Sequence, residues 1–325
     1  MKQTAILAIV LLILALAVPC MAHTVITVNP GGGADQTSLS AAEAALPNPL
    51  TGDYEISCAG ATNDTTAVTI DVDRGGYDLY IHGDATSGIF DDSKYQLKVG
   101  AGVSGITVTS TTGTGTMSIV GLQVTGIVTS GWSILLNGCS NVTVRNCLIQ
   151  DFTANGDGNA MYCAGAGTGR MFYNNVVWNC WRGINCYQSQ GTYYNNTIVS
   201  CTSYGSYILK ASCTAILKDN LISGSTTADY YVDENGAGTI TTAKNFTADA
   251  TSPDVGCASA TITFVNAGGE DFHLAPAMAS TMQGVDLSGT FTTDIDAATR
   301  SWWDPGADEM STAINGIMAI WGLLN

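Results

Sequence analysis

The chain has 325 residues and a formal net charge of −16, from 11 Lys and Arg against 27 Asp and Glu. So acidic a chain repels phosphate backbones, which argues against a nucleic-acid partner. Only 12% of its residues are charged and 37 are glycine, a composition that disfavours coiled coils and helical bundles.

Residues 1–22 have the pattern of a secretory signal, because Lys2 precedes an apolar run that ends in small residues at Ala22. Cleavage after Ala22 predicts a secreted protein, extracellular or periplasmic, without a stable membrane span. A membrane anchor is one alternative, which the short apolar run disfavours. A lipoprotein signal through Cys20 is another, which Pro19 disfavours.

The segment SLSAAEAAL at 38–46 predicts a short helix before the first strands of the core. Ser40 and Glu43 are three residues apart, as in a capping box. A stack of parallel strands exposes unpaired edges at its ends, and this helix would cover the first of them.

Four segments in the middle of the chain repeat one pattern: NVTVRNCLIQDF, RMFYNNVVWNCW, TYYNNTIVSCTS and AILKDNLISGST, beginning at residues 141, 170, 192 and 215. They are rich in Val, Ile, Thr and Tyr, alternate between apolar and polar residues, and are bounded by Gly and Asn, which is typical of strands. Their equivalent positions are 21 to 28 residues apart. This spacing predicts an all-β solenoid, a parallel β-helix in which each coil lies on the previous one.

One asparagine recurs at the same bend of successive coils. Asn tolerates left-handed backbone, and its amide can bond to the amides above and below it. The predicted structural ladder comprises Asn175, Asn196, Asn220 and Asn245. Two apolar columns are predicted to fill the core, Val144, Phe172, Tyr193 and Leu217 in one and Ile149, Val177, Ile198 and Ile222 in the other.

Nine cysteines follow the predicted signal, and the odd number leaves at least one thiol unpaired within the chain. Cys180 and Cys201 share a predicted column, as do Cys163 and Cys186. Stacked buried thiols and disulfides between coils are both compatible with this pattern. No Cys-x-x-Cys pair occurs, so the sequence gives no support for a zinc site.

An outward column two residues before the ladder combines aromatic rings with cations: Arg145, Tyr173, Tyr194 and Lys218. Aromatic faces pack on the apolar faces of pyranose rings, and cations pair with carboxylates or sulfates. We therefore expect a polysaccharide or a cell-surface glycan to bind there, with Trp178 pointing outward nearby. Nine of the 13 tyrosines fall between residues 162 and 231. The alternative is an ordinary strand surface, on which Tyr and Lys are common.

The longest coil contains DFTANGDGN, in which Asp151, Asn155, Asp157 and Asn159 offer oxygen atoms of the kind that calcium prefers. Calcium is therefore a candidate cofactor. Only two of these residues are carboxylates and no terminal Glu follows, so a plain Asn-Gly and Asp-Gly turn is the competing interpretation.

The end of the chain predicts a closing module, in which Asp294 and Asp296 pair with Arg300, and an apolar tail. Residues 311–324 predict an amphipathic helix that acts as a lid or as a contact to a second copy of the chain. The predicted boundaries are 1–22 for the signal, 23–260 for the β-helix with its N-terminal cap, 261–309 for the closing module and 310–325 for the tail.

The repeats resemble the right-handed parallel β-helix superfamily that includes pectin- and pectate-lyase-like proteins. GGGADQTSLSAAEAAL with DTTAVTID, and FVNAGGEDFHLAP with TDIDAATRSWWDPGADE, are similar to the opening and closing parts of uncharacterised secreted bacterial and phage-associated β-helix proteins. The resemblance implies a right-handed, single-stranded parallel β-helix with short capping helices at its ends. It implies no single activity, because the superfamily hosts lyases, hydrolases, tailspikes and non-catalytic surface proteins.

The sequence lacks the catalytic motifs of known β-helix enzymes, including the Arg-x-Pro-x-x-Arg pattern of pectate lyases. We therefore expect a secreted protein that binds polysaccharide or acts in surface adhesion. The alternative is a polysaccharide lyase or glycoside hydrolase with an unrecognised, calcium-assisted site. Its candidate bases are Arg145, Arg170, Arg182, Lys210 and Lys218. A lesser alternative is a fibre component that trimerises through the tail.

Overall fold

The computed structural model describes residues 23–85, 87–109, 113–127, 131–209, 213–233, 235–236, 238–275, 282–301 and 303–309. The predicted signal, the predicted tail helix at 311–324 and Lys210 lie outside these residues.

The described chain contains 25 strands, one α-helix and one 3₁₀ turn. The strands are β1 Thr24–Val28, β2 Tyr54–Cys58, β3 Val68–Ile70, β4 Leu79–His82, β5 Gln96–Val99, β6 Ile106–Thr109, β7 Met117–Val120, β8 Gln123–Gly126, β9 Ile134–Asn137, β10 Val142–Arg145, β11 Leu148–Gln150, β12 Asn159–Ala164, β13 Arg170–Tyr173, β14 Val176–Trp178, β15 Arg182–Tyr187, β16 Gln190–Tyr194, β17 Thr197–Val199, β18 Tyr204–Leu209, β19 Thr214–Lys218, β20 Leu221–Ser223, β21 Ala228–Asp233, β22 Thr239–Ala243, β23 Phe246–Thr247, β24 Phe264–Asn266 and β25 Asp271–Leu274. Helix α1 is Leu39–Ala44, and the 3₁₀ turn is Ala267–Gly269.

Three parallel sheets form the walls of a solenoid. Sheet A has the order β1-β2-β4-β7-β10-β13-β16-β19-β22, sheet B the order β23-β20-β17-β14-β11-β8-β5, and sheet C the order β21-β18-β15-β12-β9-β6-β3. From β7 onward the chain visits sheets A, B and C in turn, so each coil lays one strand on each wall. The prediction of an all-β parallel β-helix is confirmed. Strands β24 and β25 form a separate antiparallel pair.

The core lies between the three sheets and consists of stacked side chains from equivalent positions. Both predicted apolar columns are fully buried. The rings of Phe172 and Tyr193 stack with centroids 5.4 Å apart and planes at 5°. Such repetition follows from the register, because parallel strands about 4.8 Å apart place like residues over one another.

The asparagine ladder runs through the bend between sheets A and B, where all four amides are fully buried. Asn175 Nδ2 donates to Asn196 Oδ1 at 2.9 Å, and Asn196 Nδ2 donates to Asn220 Oδ1 at 2.9 Å. Asn220 Nδ2 donates to Asn245 Oδ1 at 2.8 Å. Asn245 Nδ2 and the Asn245 backbone N–H both donate to Asp254 Oδ2, so a carboxylate ends the ladder.

The left-handed residue of this bend precedes each ladder position, and the expectation that the ladder asparagine takes this conformation was wrong by one residue. The φ angles of the preceding residues lie between 46° and 56°, and the residues are Asn146, Asn174, Asn195, Asp219 and Lys244. Asn and Asp accept this conformation more readily than most residues. Their side chains point away from the core and are free to bind another part of the chain.

Helix α1 packs at the N-terminal end of the solenoid, where it buries Leu39 and Ala42. Its N-cap is Ser38, whose Oγ accepts a hydrogen bond from the Ala41 backbone N–H at 3.0 Å. The sequence places the N-cap at Ser40, two residues after the observed N-cap. Ser40 lies inside the helix, so the predicted capping box is not formed. Asp64 accepts a further hydrogen bond from the Leu39 backbone N–H at 2.7 Å and fixes the helix to the coils.

All nine described cysteines are buried free thiols, which favours the thiol interpretation over disulfides between coils. Cys163 and Cys186 are paired in register between β12 and β15. Burial raises the pKa of Cys163 to about 11 and that of Cys201 to about 12. Thiols in such an environment act as core residues rather than as nucleophiles.

Candidate functional site

The predicted sugar-binding column is in register on the outer face of sheet A. Arg145 pairs with Tyr173, Tyr173 with Tyr194, and Tyr194 with Lys218. The two tyrosine rings are only partly exposed, however, because described residues of the range 282–309 pack against them. We call the described part of this range, 282–301 and 303–309, the closing segment.

The closing segment covers the two tyrosines with its own apolar cluster. Phe291 stacks on Tyr173 with ring centroids 4.5 Å apart and planes at 10°. Leu287, Phe291 and Trp303 are buried together, and Tyr173 and Tyr194 pack against them. The ring face that a sugar would use at Tyr173 is therefore occupied by Phe291.

The left-handed residues that precede the ladder positions hold the closing segment in place with their side chains. Asn174 and Asn195 donate hydrogen bonds of 2.7 and 2.9 Å to backbone carbonyls of the closing segment. Both carboxylate oxygens of Asp219 accept from the Val285 backbone N–H, at 2.9 and 3.1 Å. The Asn-Asn and Asp-Asn pairs of the repeats thus serve two purposes, since the second residue builds the ladder and the first binds the closing segment.

The remaining members of the predicted carbohydrate site are dispersed. Trp178 is half-buried and packs against Phe272 of β25, with ring centroids 5.9 Å apart. The Lys218 ammonium lies 5.9 Å from the Tyr194 ring centroid. The Arg145 guanidinium makes no hydrogen bond or ion pair with the described residues. A sugar-binding role for these residues stays a prediction, and the covered rings do not support it.

Two of the candidate calcium ligands at 151–159 are hydrogen-bonded to the next coil, and the other two lie in an exposed turn. Asp151 Oδ1 accepts a hydrogen bond from Asn179 Nδ2 at 2.7 Å. Asn159 is buried, and its Oδ1 accepts from Asn185 Nδ2 at 3.0 Å. Asn155 and Asp157 lie in an exposed turn. This arrangement matches the competing interpretation of a turn more closely than a calcium loop.

A second aromatic surface lies on the outer face of sheet C. The Tyr207 and Tyr231 rings stack with centroids 5.3 Å apart, and Tyr204 lies 5.3 and 5.0 Å from them. Earlier along the solenoid, Trp132, just before β9, and Tyr162 of β12 have ring centroids 5.6 Å apart. We call this surface the aromatic face, and its members are Trp132, Tyr162, Trp181, Arg182, Tyr204, Tyr207 and Tyr231. It extends over coils β9 to β21, and the closing segment makes none of its described contacts there.

Arg182 is the only cation of the aromatic face and is held by rings rather than by carboxylates. Its Cζ atom lies 3.8 Å from the Trp181 ring centroid and 3.7 Å from the Tyr207 ring centroid. Within the described ranges its guanidinium donates no hydrogen bond, and its buried Nε has no partner. Burial lowers the pKa of Arg182. A cation with unused donors between two rings is suited to an anionic group of a bound molecule.

The Asn185 amide contributes a further unused polar atom between the rings. Asn185 is paired in register with Tyr162 on one side and with Tyr207 on the other. It is 4% exposed, and its Oδ1 has no hydrogen-bond partner among the described residues. The aromatic face therefore has one buried acceptor without a partner, Asn185 Oδ1, in register with the Tyr162 and Tyr207 rings.

The other candidate bases differ in their surroundings. Arg170 is 2% exposed, and its guanidinium donates to the carbonyls of Leu136, Ala164, Gly165 and Gly167. This arginine holds the coils together and has no access to a substrate. Of the four candidates within the described ranges, Arg182 is the one that lies on the aromatic face.

A histidine–carboxylate cluster lies in the closing module and was not among the predicted sites. His273 Nδ1 is 2.5 Å from Asp271 Oδ1, and His273 Nε2 is 2.8 Å from Asp296 Oδ2. These hydrogen bonds, led by that to Asp296, raise the pKa of His273 to about 9. Burial raises the pKa of the neighbouring Asp308 to about 6. The motifs DFH at 271–273 and DID at 294–296 contain most of these residues. They are too far apart in the sequence to predict that their side chains lie together.

The predicted ion pair of this region is formed differently. Arg300 Nη1 lies 3.8 Å from Glu309 Oε2. The carboxylate of Asp294 instead accepts backbone hydrogen bonds from Ala298 and Glu309. Asp296 points away from Arg300 toward a cleft of about 240 Å³, which Tyr80, His82 and Asn146 also line.

Residues 100–247 match a family model described as the right handed beta helix region. The match spans β6 to β23 and therefore includes the ladder and the aromatic face. No curated protein matches the chain. No helix within the described ranges has the length and apolar character needed to cross a membrane. The matched region and the three stacked sheets together show that the chain folds as a right-handed parallel β-helix.

Proposed function

We propose that this protein is exported and binds a polysaccharide whose sugar units carry carboxylate or sulfate groups. The single observation that carries the proposal is Arg182, fixed between Trp181 and Tyr207 with no carboxylate partner in the described chain. A bound anion would complete its coordination.

The aromatic face also has the extent that a polymer needs. Its rings come from coils stacked along the solenoid, so they follow one another in the direction of the long axis. Tyr231 is 39% exposed, and the neighbouring Tyr187 is 41% exposed. Exposed aromatic rings in one patch are typical of a binding surface. The predicted export signal agrees with an extracellular glycan as the partner.

Binding of the purified chain to polygalacturonate and to its fully methyl-esterified form tests the proposal. The two polymers share a backbone and differ in charge. We expect Arg182→Gln to weaken binding to the acidic polymer at least about tenfold, which corresponds to about 1.4 kcal/mol. Lys218→Gln is the matched control, since it removes one positive charge from the other face. Equal loss in both variants, or none in Arg182→Gln, would contradict the proposal.

A lyase is the second candidate function, and one observation favours it. Burial lowers the pKa of Arg182. A guanidinium with a lowered pKa is a better general base for removing the proton beside the carboxylate of a uronate sugar. Ultraviolet absorbance of the unsaturated product, followed during incubation with polygalacturonate and alginate, measures this activity. A rise that Arg182→Gln abolishes would establish the lyase. A flat trace with intact binding would leave the binding protein.

A further inference from the structure

The histidine–carboxylate cluster brings together groups from three places in the chain. His273 comes from β25, and Asp296 and Asp308 come from two turns of the closing segment. One ligand atom from each of the three lies within 4.8 Å of the other two. A zinc ion with bonds of about 2 Å holds its ligands roughly 3 to 4 Å apart, so a small contraction would close the three around one ion.

Each of the three side chains is oriented by a further hydrogen bond. Asp271 accepts from the far side of the His273 ring, at Nδ1, which directs Nε2 into the cluster. The Gly88 backbone N–H donates to Asp296 Oδ1 at 3.1 Å, and the Leu274 backbone N–H donates to Asp308 Oδ2 at 3.0 Å. A carboxylate behind a histidine and fixed carboxylates beside it are the usual outer partners of metal ligands.

The charge of the cluster is unbalanced. Asp271, Asp296 and Asp308 surround one imidazole, and no Lys or Arg in the described ranges forms an ion pair with any of them. Asp308 is 8% exposed, so a charge on its carboxylate is poorly solvated. Asp308 is the buried carboxylate of the three, and a buried carboxylate needs a cation or a proton for compensation. Asp296 lines the 240 Å³ cleft, which gives an ion a path from solvent.

We propose that His273, Asp296 and Asp308 bind one divalent metal ion, and that Zn²⁺ suits this ligand set. One imidazole nitrogen and two carboxylate oxygens match zinc better than they match calcium, which takes six to eight oxygens. Three protein ligands leave one tetrahedral position for water. The ion would tie β25 to both turns of the closing segment and so help to hold that segment over sheet A.

Calorimetric titration of the purified chain with ZnCl₂, after treatment with a chelator, tests the site. We expect one Zn²⁺ per chain, binding that Asp308→Asn and His273→Gln each weaken at least about tenfold, and a smaller loss in Asp271→Asn. His82→Gln is the matched control, because His82 contacts a carboxylate, Glu55, at 3.0 Å and lines the same cleft as Asp296, but is not one of the three proposed ligands.

Absorption of the unmodified chain with Co²⁺ gives a second measurement that does not depend on the folding of any variant. A tetrahedral Co²⁺ spectrum that Zn²⁺ displaces supports the proposal. Absence of stoichiometric binding of either metal would overturn it. So would binding that His82→Gln removes and Asp308→Asn leaves unchanged, because the ion would then lie beside Glu55.

Discussion

Sheets A and C present similar residues on their outer faces, yet the two faces differ in what covers them. On sheet A, Tyr173 and Tyr194 lie beneath Phe291 and Trp303 of the closing segment. On sheet C, Tyr207 and Tyr231 stack on one another without a described contact to the closing segment, and Tyr231 is 39% exposed. Alternation along a strand decides only that a side chain leaves the core. Whether it meets solvent depends on segments that arrive later in the chain.

The cations of the two faces show the same difference. Lys218 lies at the margin of a covered ring, 5.9 Å from the Tyr194 centroid, whereas Arg182 lies between two rings at less than 4 Å from each centroid. The first arrangement belongs to an internal interface of the protein. The second is the arrangement on which the proposed binding depends.

Loss of the ladder should have the largest effect, because both faces depend on it. Asn196→Ala removes the acceptor for two N–H groups of Asn175 and the donor to the Phe172 carbonyl. Buried groups without partners cost about 1–3 kcal/mol each, so we expect a loss of roughly 3–5 kcal/mol in the free energy of unfolding. Urea unfolding followed by circular dichroism measures it. Asn235→Ala, in an exposed turn, should change stability by less than about 0.5 kcal/mol.

The attachment of the closing segment should weaken as pH rises. Burial raises the pKa of Asp219 to about 8, against opposing effects of the Val285 N–H, Arg300 and Lys218, and with support from Asp254. A group whose pKa is raised on folding stabilises the fold below its unfolded value, near 4, and loses that contribution as pH rises through 8. Asp219→Asn should therefore raise the melting temperature at pH 8 and leave it nearly unchanged near pH 4.

The neutral amide introduced by Asp219→Asn retains one acceptor for the Val285 N–H, and asparagine accepts the left-handed φ of 55° at this position. The variant consequently isolates the charge. Equal effects at both pH values would contradict the prediction, because they would indicate a change in packing instead.

Removal of Phe291 should expose sheet A and leave sheet C intact. Phe291 is 7% exposed and touches both Tyr173 and Trp303. Truncation of a buried Phe costs about 3 kcal/mol or more. We expect Phe291→Ala to increase amide hydrogen exchange across the closing segment. Exchange in β15 and β18, and binding to polygalacturonate, should be unchanged; a fall in binding would show that the two faces are coupled.

The smallest expected effect concerns binding alone. Tyr207→Ala removes one of the two rings that hold Arg182, and we expect polygalacturonate affinity to fall about tenfold, or about 1.4 kcal/mol. Tyr173→Ala should lower stability without changing affinity in the folded protein. The reverse result would restore the sugar-binding column that the sequence predicts on sheet A.

The sequence predicted the coils well because their information is local. Asn175, Asn196 and Asn220 recur at one position of each repeat, and the strands beside them alternate regularly. Stacking of equivalent residues follows directly from such repetition. The register of Arg145, Tyr173, Tyr194 and Lys218 was predictable for the same reason.

The sites were less predictable because they depend on contacts between distant segments. Phe291 lies more than a hundred residues after Tyr173, and no feature of either residue indicates the other. Tyr204 and Tyr207 lie in sheet C, whose strands follow connecting segments of variable length. The alignment of these residues with Arg182 therefore cannot be predicted from the repeat alone. The density of tyrosine between 162 and 231 was the available signal, and it did not identify the wall that carries the rings.

The carboxylate at the end of the ladder has a consequence for association between molecules. Each amide of the ladder donates toward one end of the solenoid and accepts from the other, so a terminal Asn245 without a partner would present open donors to any incoming strand. Asp254 Oδ2 accepts from both N–H groups of Asn245. A carboxylate oxygen accepts hydrogen bonds and donates none. Unpaired donors at the end of a ladder favour end-to-end association of molecules. Asp254 occupies these donors and so disfavours such association at this bend.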